Sequence, residues 1–148
     1  MKSKIITKII TGVLALSIAI SLTACGSSSA MSKEDYQNAV SQIGVDIYAL
    51  SDSISNINYK DIDETKKALD KSKEAFSKFL EITPPKAYAE AHEKIKAGCE
   101  AIINVIEQSS EALETSDETQ KKQIEEKINQ SLETALYNLI DGSDLMSE

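Results

Sequence analysis

The chain has 148 residues, with 16 Lys and no Arg against 24 Asp and Glu, a formal net charge of −8, no Trp, five Gly and two Pro. That acidity argues against nucleic-acid binding and against electrostatic docking on an anionic bilayer, and the lack of Arg removes the bidentate fork that usually grips carboxylate or phosphate. A composition rich in Ala, Glu, Lys, Ile, Ser and Leu favours helix over a turn-rich β-sandwich.

Lys2, Lys4 and Lys8 make a positive start, and the 16 residues from Ile9 to Ala24 carry no charge. The run is short of the roughly 20 residues that cross a bilayer as a helix. A charged start, a short apolar core and small closing residues read as a signal peptide over residues 1–24. It ends in Leu22-Thr23-Ala24-Cys25, which resembles the lipobox of bacterial lipoproteins. The resemblance implies that the Cys25 thiol is alkylated with diacylglycerol and that a signal peptidase cuts between Ala24 and Cys25. The mature chain would then stay tied to the outer side of the cell membrane by its lipid. Two acyl chains, at about 0.8 kcal/mol per buried CH₂, hold stably where one short chain does not. Residues 25–31 read as the lipidated Cys and a flexible Gly/Ser tether with a reach of about 15 Å. Loss of the leader leaves 13 Lys against 24 acids, a net charge near −11.

The folded part is expected over 32–141. Ser32 is placed to cap a first helix, with acids in its first turn. Tyr36, Val40, Ile43, Ile47, Leu50, Ile54 and Ile57 then alternate spacings of four and three, which puts them on one helical face. Asn58-Tyr59-Lys60 breaks the pattern, and Asp61 with Glu64 forms a capping box for a second helix carrying Ile62, Leu69, Phe76, Phe79 and Leu80. Thr83-Pro84-Pro85 stops it, with Thr83 available to cap a third. That helix carries Tyr88, His92, Ile95, Cys99, Ile102, Ile106, Ser109 and Leu113 on its stripe. Thr115 with Glu118 suggests a cap for a fourth, with Ile124, Ile128, Leu132, Ala135 and Leu139 inward. Asp141-Gly142-Ser143 looks like its end, leaving 142–148 as a frayed tail. Four amphipathic helices with short connections predict an all-α antiparallel up-down four-helix bundle, with a three-helix bundle as the alternative.

Residues able to carry chemistry are few. Cys99 is the one thiol left once Cys25 is acylated, and its stripe position suits a buried small hydrophobe. His92 stands alone, without the ligand spacings of a zinc, haem or di-iron site, so neither metal nor cofactor is expected. Asp141-Gly142-Ser143-Asp144 lacks the spacing of a calcium loop. No enzyme is expected. Up-down topology does bring Tyr36, Phe76, Phe79, Tyr88, Tyr137 and His92 toward the tether-proximal end. That group is either an aromatic core end or a small apolar pocket edged by hydroxyls and an imidazole, with Thr65, Ser72 and Ser109 as further inner-face polar groups.

The lipobox, the Gly/Ser tether, the Lys-only basic set and the stretch T-P-P-K-A-Y-A-E-A-H-E-K resemble the small helical surface lipoproteins of Gram-positive bacteria. The resemblance implies a place at the envelope and no particular activity. Two functions follow as expectations: a non-enzymatic module that binds a protein partner at the cell envelope, or a ligand-binding or sensing lipoprotein that uses the aromatic end. An exposed apolar face would favour the first and a closed pocket the second.

Overall fold

A computed structural model describes residues 30–55 and 61–147. The expected signal peptide, the lipobox-like stretch at 22–25, most of the expected tether, Ile57 and the pattern break at 58–60 lie outside the described residues. Four helices form: α1 (Lys33–Ser55), α2 (Ile62–Leu80), α3 (Ala89–Glu114) and α4 (Glu118–Leu145), with a single 3-10 turn, Lys86–Tyr88, ahead of α3. Among the described residues there is no strand, and no helix is long and apolar enough to cross a membrane.

The starts of the helices follow from local chemistry. Ser32 Oγ accepts the Asp35 amide at 3.0 Å and donates to its carboxylate at 2.6 Å. Asp61 accepts the Glu64 amide at 3.0 Å, as the capping box requires. Two other expected caps move. Asp117, not Thr115, caps α4 by accepting the Thr119 and Gln120 amides, while Thr115 Oγ1 supports it by accepting the Asp117 amide. A carboxylate at a helix N-terminus answers both the free amides and the dipole, so it wins over a hydroxyl two residues earlier. Thr83 caps nothing. After Pro84 and Pro85 the chain first makes the 3-10 turn, and the Thr83 carbonyl instead accepts the Met31 amide at 3.0 Å. That bond, and the packing of Met31 on the core, hold the segment just before α1 beside the α2–α3 connection.

Successive helices run antiparallel. Lys66 near the start of α2 pairs with Glu114 at the end of α3, Lys73 farther along α2 pairs with Glu107 about two turns earlier in α3, and Lys94 of α3 pairs with Asp141 of α4 at 2.8 Å. These pairs are half exposed, so they mark register more than they add stability. Most of the core comes from α1, α2 and α3: Tyr36, Ile43, Ile47 and Leu50 from α1, Leu69, Phe76 and Phe79 from α2, and Ile95, Cys99, Ile102 and Ile106 from α3, with Ala135 added by α4. Ile62, the first residue of α2, falls outside it and is exposed.

Helix α4 is seated differently. It lies mainly along α3, and only Ile124, Ala135 and Gly142 of its 28 residues are buried. Ile128, Leu132 and Leu139, expected inward, are half-buried. The α3–α4 seam is built from small residues at matched seven-residue spacing, Ala91 and Gly98 facing Gly142 and Ala135. A Cβ placed on Gly142 would sit 2.9 Å from the Ala91 carbonyl oxygen, and one on Gly98 would sit 3.3 Å from that of Ala135. Gly142 therefore does not end the helix. Its φ is negative, α4 continues to Leu145, and Met146 packs against the core, so the expected frayed tail is largely ordered structure.

Candidate functional site

The tether-proximal end gathers four of the predicted rings. The Ser32 cap makes Tyr36 the first inward residue of α1. The proline stop and 3-10 turn set Tyr88 just ahead of α3, and His92 follows one helical turn later. Phe79 arrives from the last turn of α2. Tyr36 is fully buried, with ring centroids 5.7 Å from Tyr88, 5.7 Å from His92 and 6.1 Å from Phe79; Phe79 and His92 are 5.5 Å apart. Tilted and edge-on contacts at these spacings are the favourable arrangements of aromatic quadrupoles. Phe76 is also fully buried, one turn deeper along α2. Tyr88 forms the half-exposed rim: Gln37 Nε2 donates to its hydroxyl at 3.0 Å, and Lys33 Nζ sits 5.5 Å from its ring centre.

Tyr137 does not join them. Ala135 and Leu139 turn toward α3, and two residues on or back is about 200° around a helix. Tyr137 consequently faces outward, 67 % exposed, with Lys94 Nζ 5.9 Å from its ring. Thr65, Ser72 and Ser109 are not pocket-lining donors either, since each hydroxyl donates back to the carbonyl four residues earlier.

Tyr36 Oη and His92 Nδ1 are hydrogen-bonded at 3.1 Å, the side of the proton being set by the imidazole tautomer. Burial raises the Tyr36 hydroxyl well above the usual phenol range. It lowers His92 below its ordinary value of 6.5, with Lys96 acting the same way and Glu93 against. Cys99 is pushed up to about 12, by burial first and then by the charges of Asp46 and Glu100. All three groups are held neutral near pH 7. A thiolate nucleophile is tuned the other way from Cys99, toward a lowered pKa. Among the described residues no three His, Cys, Asp or Glu side chains are grouped to hold a metal ion. At this end the rings touch one another around one buried imidazole.

That imidazole gives the fold a pH dependence. With a folded pKa below 6.5, His92 stays neutral in the native state while the unfolded chain takes up a proton. Its contribution is complete above 6.5 and is lost as pH falls from there, at no more than about 1.4 kcal/mol per pH unit. Asp46, whose carboxyl is raised by burial against an opposing hydrogen bond from Gln42, works in the opposite direction, but lower, in the carboxylate range. Urea midpoints are expected to drop between pH 7 and 5, and His92→Gln is expected to flatten that slope. An unchanged slope in the variant would assign the acid sensitivity elsewhere.

Outside this end, the large apolar side chains exposed among the described residues are Ile62 at the start of α2 and two pairs at i,i+3 spacing: Val45 and Tyr48 on α1, 53 % and 60 % exposed, and Tyr137 and Ile140 on α4. The sequence reading missed the first pair because it followed only the inward stripe of α1. The signal was present, since Val45 and Tyr48 sit roughly half a turn away from Ile43, Ile47 and Leu50. No family model, curated protein or solved structure matches the chain.

Proposed function

We propose that the chain is a lipid-anchored, extracytoplasmic protein-interaction module of the cell envelope, working without catalysis or a cofactor. The observation that carries the interaction reading is the exposure of Val45 and Tyr48 on a helix whose other face is fully engaged in the core. Apolar side chains kept in water at helical spacing suit a partner surface. Mutual contact of Tyr36, Phe79, Tyr88 and His92 supports this reading over a ligand pocket, because a ligand there would have to part the rings.

Anchoring rests on the L-T-A-C sequence behind a short apolar run. Lipid rather than charge would hold the protein at the membrane, since a mature chain near −11 is repelled by anionic headgroups. Metabolic labelling with a clickable fatty acid is expected to mark the wild type in the membrane fraction, and Cys25→Ser is expected to lose the label. A Cys25→Ser chain that still labels refutes the anchor. Native mass spectrometry of the full-length protein, gently extracted from its own membrane, tests the rest. A stoichiometric protein partner is expected; the protein alone with a retained small molecule would favour the sensing role.

A further inference from the structure

In the first turn of α1, Lys33, Glu34 and Asp35 are exposed and Tyr36 is buried. This start of the fold reaches the rest of the bundle through a short set of contacts. Met31 packs on the core and donates its amide to the Thr83 carbonyl at 3.0 Å, and Gln37 Nε2 donates to the Tyr88 hydroxyl at 3.0 Å. The buried polar contact is Tyr36 Oη with His92 Nδ1 at 3.1 Å. The imidazole is 4 % exposed, between the Tyr36 ring of α1 and the Phe79 ring of α2, at 5.7 and 5.5 Å. Charged groups around it do little for a proton there. On α3, Glu93 and Lys96 act on it with opposite sign, Glu90 is exposed, and Lys94 is paired with Asp141 of α4. Lys33 of α1 is set over the Tyr88 ring, while on α2 Lys78 is paired with Glu74 and Glu81 is exposed. The hydrogen bond of His92 among the described residues is to a neutral hydroxyl and not to a carboxylate.

A neutral imidazole has one donor and one acceptor nitrogen, whereas the imidazolium has two donors and a charge. If Tyr36 Oη donates to Nδ1, the incoming proton takes its acceptor away. If Tyr36 Oη accepts, the new donor is Nε2. Either way a charge appears inside a cluster of rings, where burial disfavours it. We infer that His92 is the pin of an acid-released latch: protonation breaks its contact with Tyr36, and the segment Met31–Tyr36 leaves the aromatic end while the remainder of the bundle stays folded. This segment is the one to yield because it begins the fold and can detach without opening a connection. Phe79 and Tyr88 stand on either side of the proline connection and are held from both ends. Local openings of this kind cost less than unfolding the domain. With His92 held below its ordinary 6.5 by burial, the latch is shut above that pH and releases as pH falls, by at most about tenfold per pH unit. Tyr36 and Cys99, both raised by burial, stay neutral throughout. The latch goes beyond the interaction-module reading, and one consequence of it rests on the anchor: in a chain tied at Cys25, freeing Met31–Tyr36 adds about 20 Å of extended chain between lipid and bundle.

The test follows amide hydrogen exchange of the full-length chain in detergent micelles from pH 7.5 to 5.5, corrected for the intrinsic pH dependence of exchange. The reporters are the Met31 amide, bonded to the Thr83 carbonyl, and the Tyr36 amide, bonded to the Ser32 carbonyl. The amide of Ile106, deep in the core, reports the bundle as a whole. Expected is a loss of protection of about tenfold at 31 and 36 across this range, at a level below that of Ile106 throughout. His92→Gln, which takes up no proton here, should remove the loss. His92 is the one His of the chain, so its ring resonances report its titration in the wild type and need no variant. Their midpoint should lie below 6.5. Unchanged protection at 31 and 36, or a loss that persists in His92→Gln, overturns the latch. So does protection at 31 and 36 equal to that of Ile106 at pH 5.5, because the bundle then opens as one unit. An imidazole that titrates at or above 6.5, or that charges while both reporter amides stay protected, overturns it even where the variant does not fold. These readouts do not depend on Cys25, so failure of the fatty-acid labelling and failure of the latch are separate results.

Discussion

Replacing Ile106 with Asp is expected to abolish cooperative unfolding, leaving a chain with no thermal transition near that of the wild type. Ile106 is 1 % exposed in α3 and belongs to the cluster that joins α1, α2 and α3. Truncating such a side chain costs about 2–5 kcal/mol. Putting an unpaired carboxylate in its place adds several more, even after the group takes up a proton to escape its charge. Domains of this size hold only about 5–15 kcal/mol in total. Two controls sharpen the experiment. Asn104→Asp, two residues away and exposed, should melt like wild type. Ile128→Asp should cost much less than Ile106→Asp, because Ile128 is only half-buried on a helix that rests mainly on α3. Circular dichroism melts of the three variants decide it. Equal losses at 106 and 128 would mean that α4 is as deeply inserted as the other helices.

The contrast between Ile106 and Ile128 shows which parts of this molecule were readable in its sequence. The four-and-three spacing reports which face of a helix turns inward, and it placed Tyr36, Ile43, Ile47 and Leu50, and Ile95, Cys99, Ile102 and Ile106, in the core where they lie. It does not report how much neighbouring helix is there to cover that face, so Ile128 and Leu132 carried the same signal and ended half-buried. The aromatic end was legible for a related reason. Up-down connectivity brings the ends of α1, α2 and α3 together whatever the packing details, and Tyr36, Phe79, Tyr88 and His92 meet there. Topology sets the level of Tyr137 along the bundle but not its face, which the inward Ala135, two residues earlier, turns to solvent. The second face of α3 was hidden by its chemistry. Ala91, Gly98 and Ala101 are buried, but small residues add little to an apolar pattern. Their meaning emerges only when Ala135 and Gly142 are found across the seam.

Gly142 is where the two readings of one residue type separate by experiment. A glycine near the end of a helix usually supplies a left-handed cap, whereas this one lies within α4 at negative φ and lets α4 approach α3. A Cβ there would stand 2.5 Å from Ile95 Cγ1, 2.9 Å from the Ala91 carbonyl oxygen and 3.1 Å from the Ile95 backbone nitrogen. Two of those atoms are backbone and cannot rotate aside, so the helices must move apart. Alanine gains about 1 kcal/mol of helix propensity over glycine, but overpacking of this kind costs about 1–3 kcal/mol. Gly142→Ala is therefore expected to destabilise, and Gly142→Leu to do so by several kcal/mol. Gly98 gives the internal contrast: its nearest neighbours are Leu139 Cγ at 2.6 Å and Cδ2 at 2.8 Å, the end of a half-buried, flexible side chain. Gly98→Ala should come out near neutral, the propensity gain offsetting the displacement of Leu139. Alanine alone would not distinguish a close approach from a left-handed cap, because it is unfavourable in both. Asparagine does distinguish them. At a left-handed cap it is well tolerated, whereas in the seam its larger side chain costs at least as much as alanine's. Urea midpoints in which Gly142→Asn falls at or below Gly142→Ala place the residue in the α3–α4 contact. An Asn variant close to wild type would mean that the helix ends at 142 and that the last turn of α4 is not held against α3.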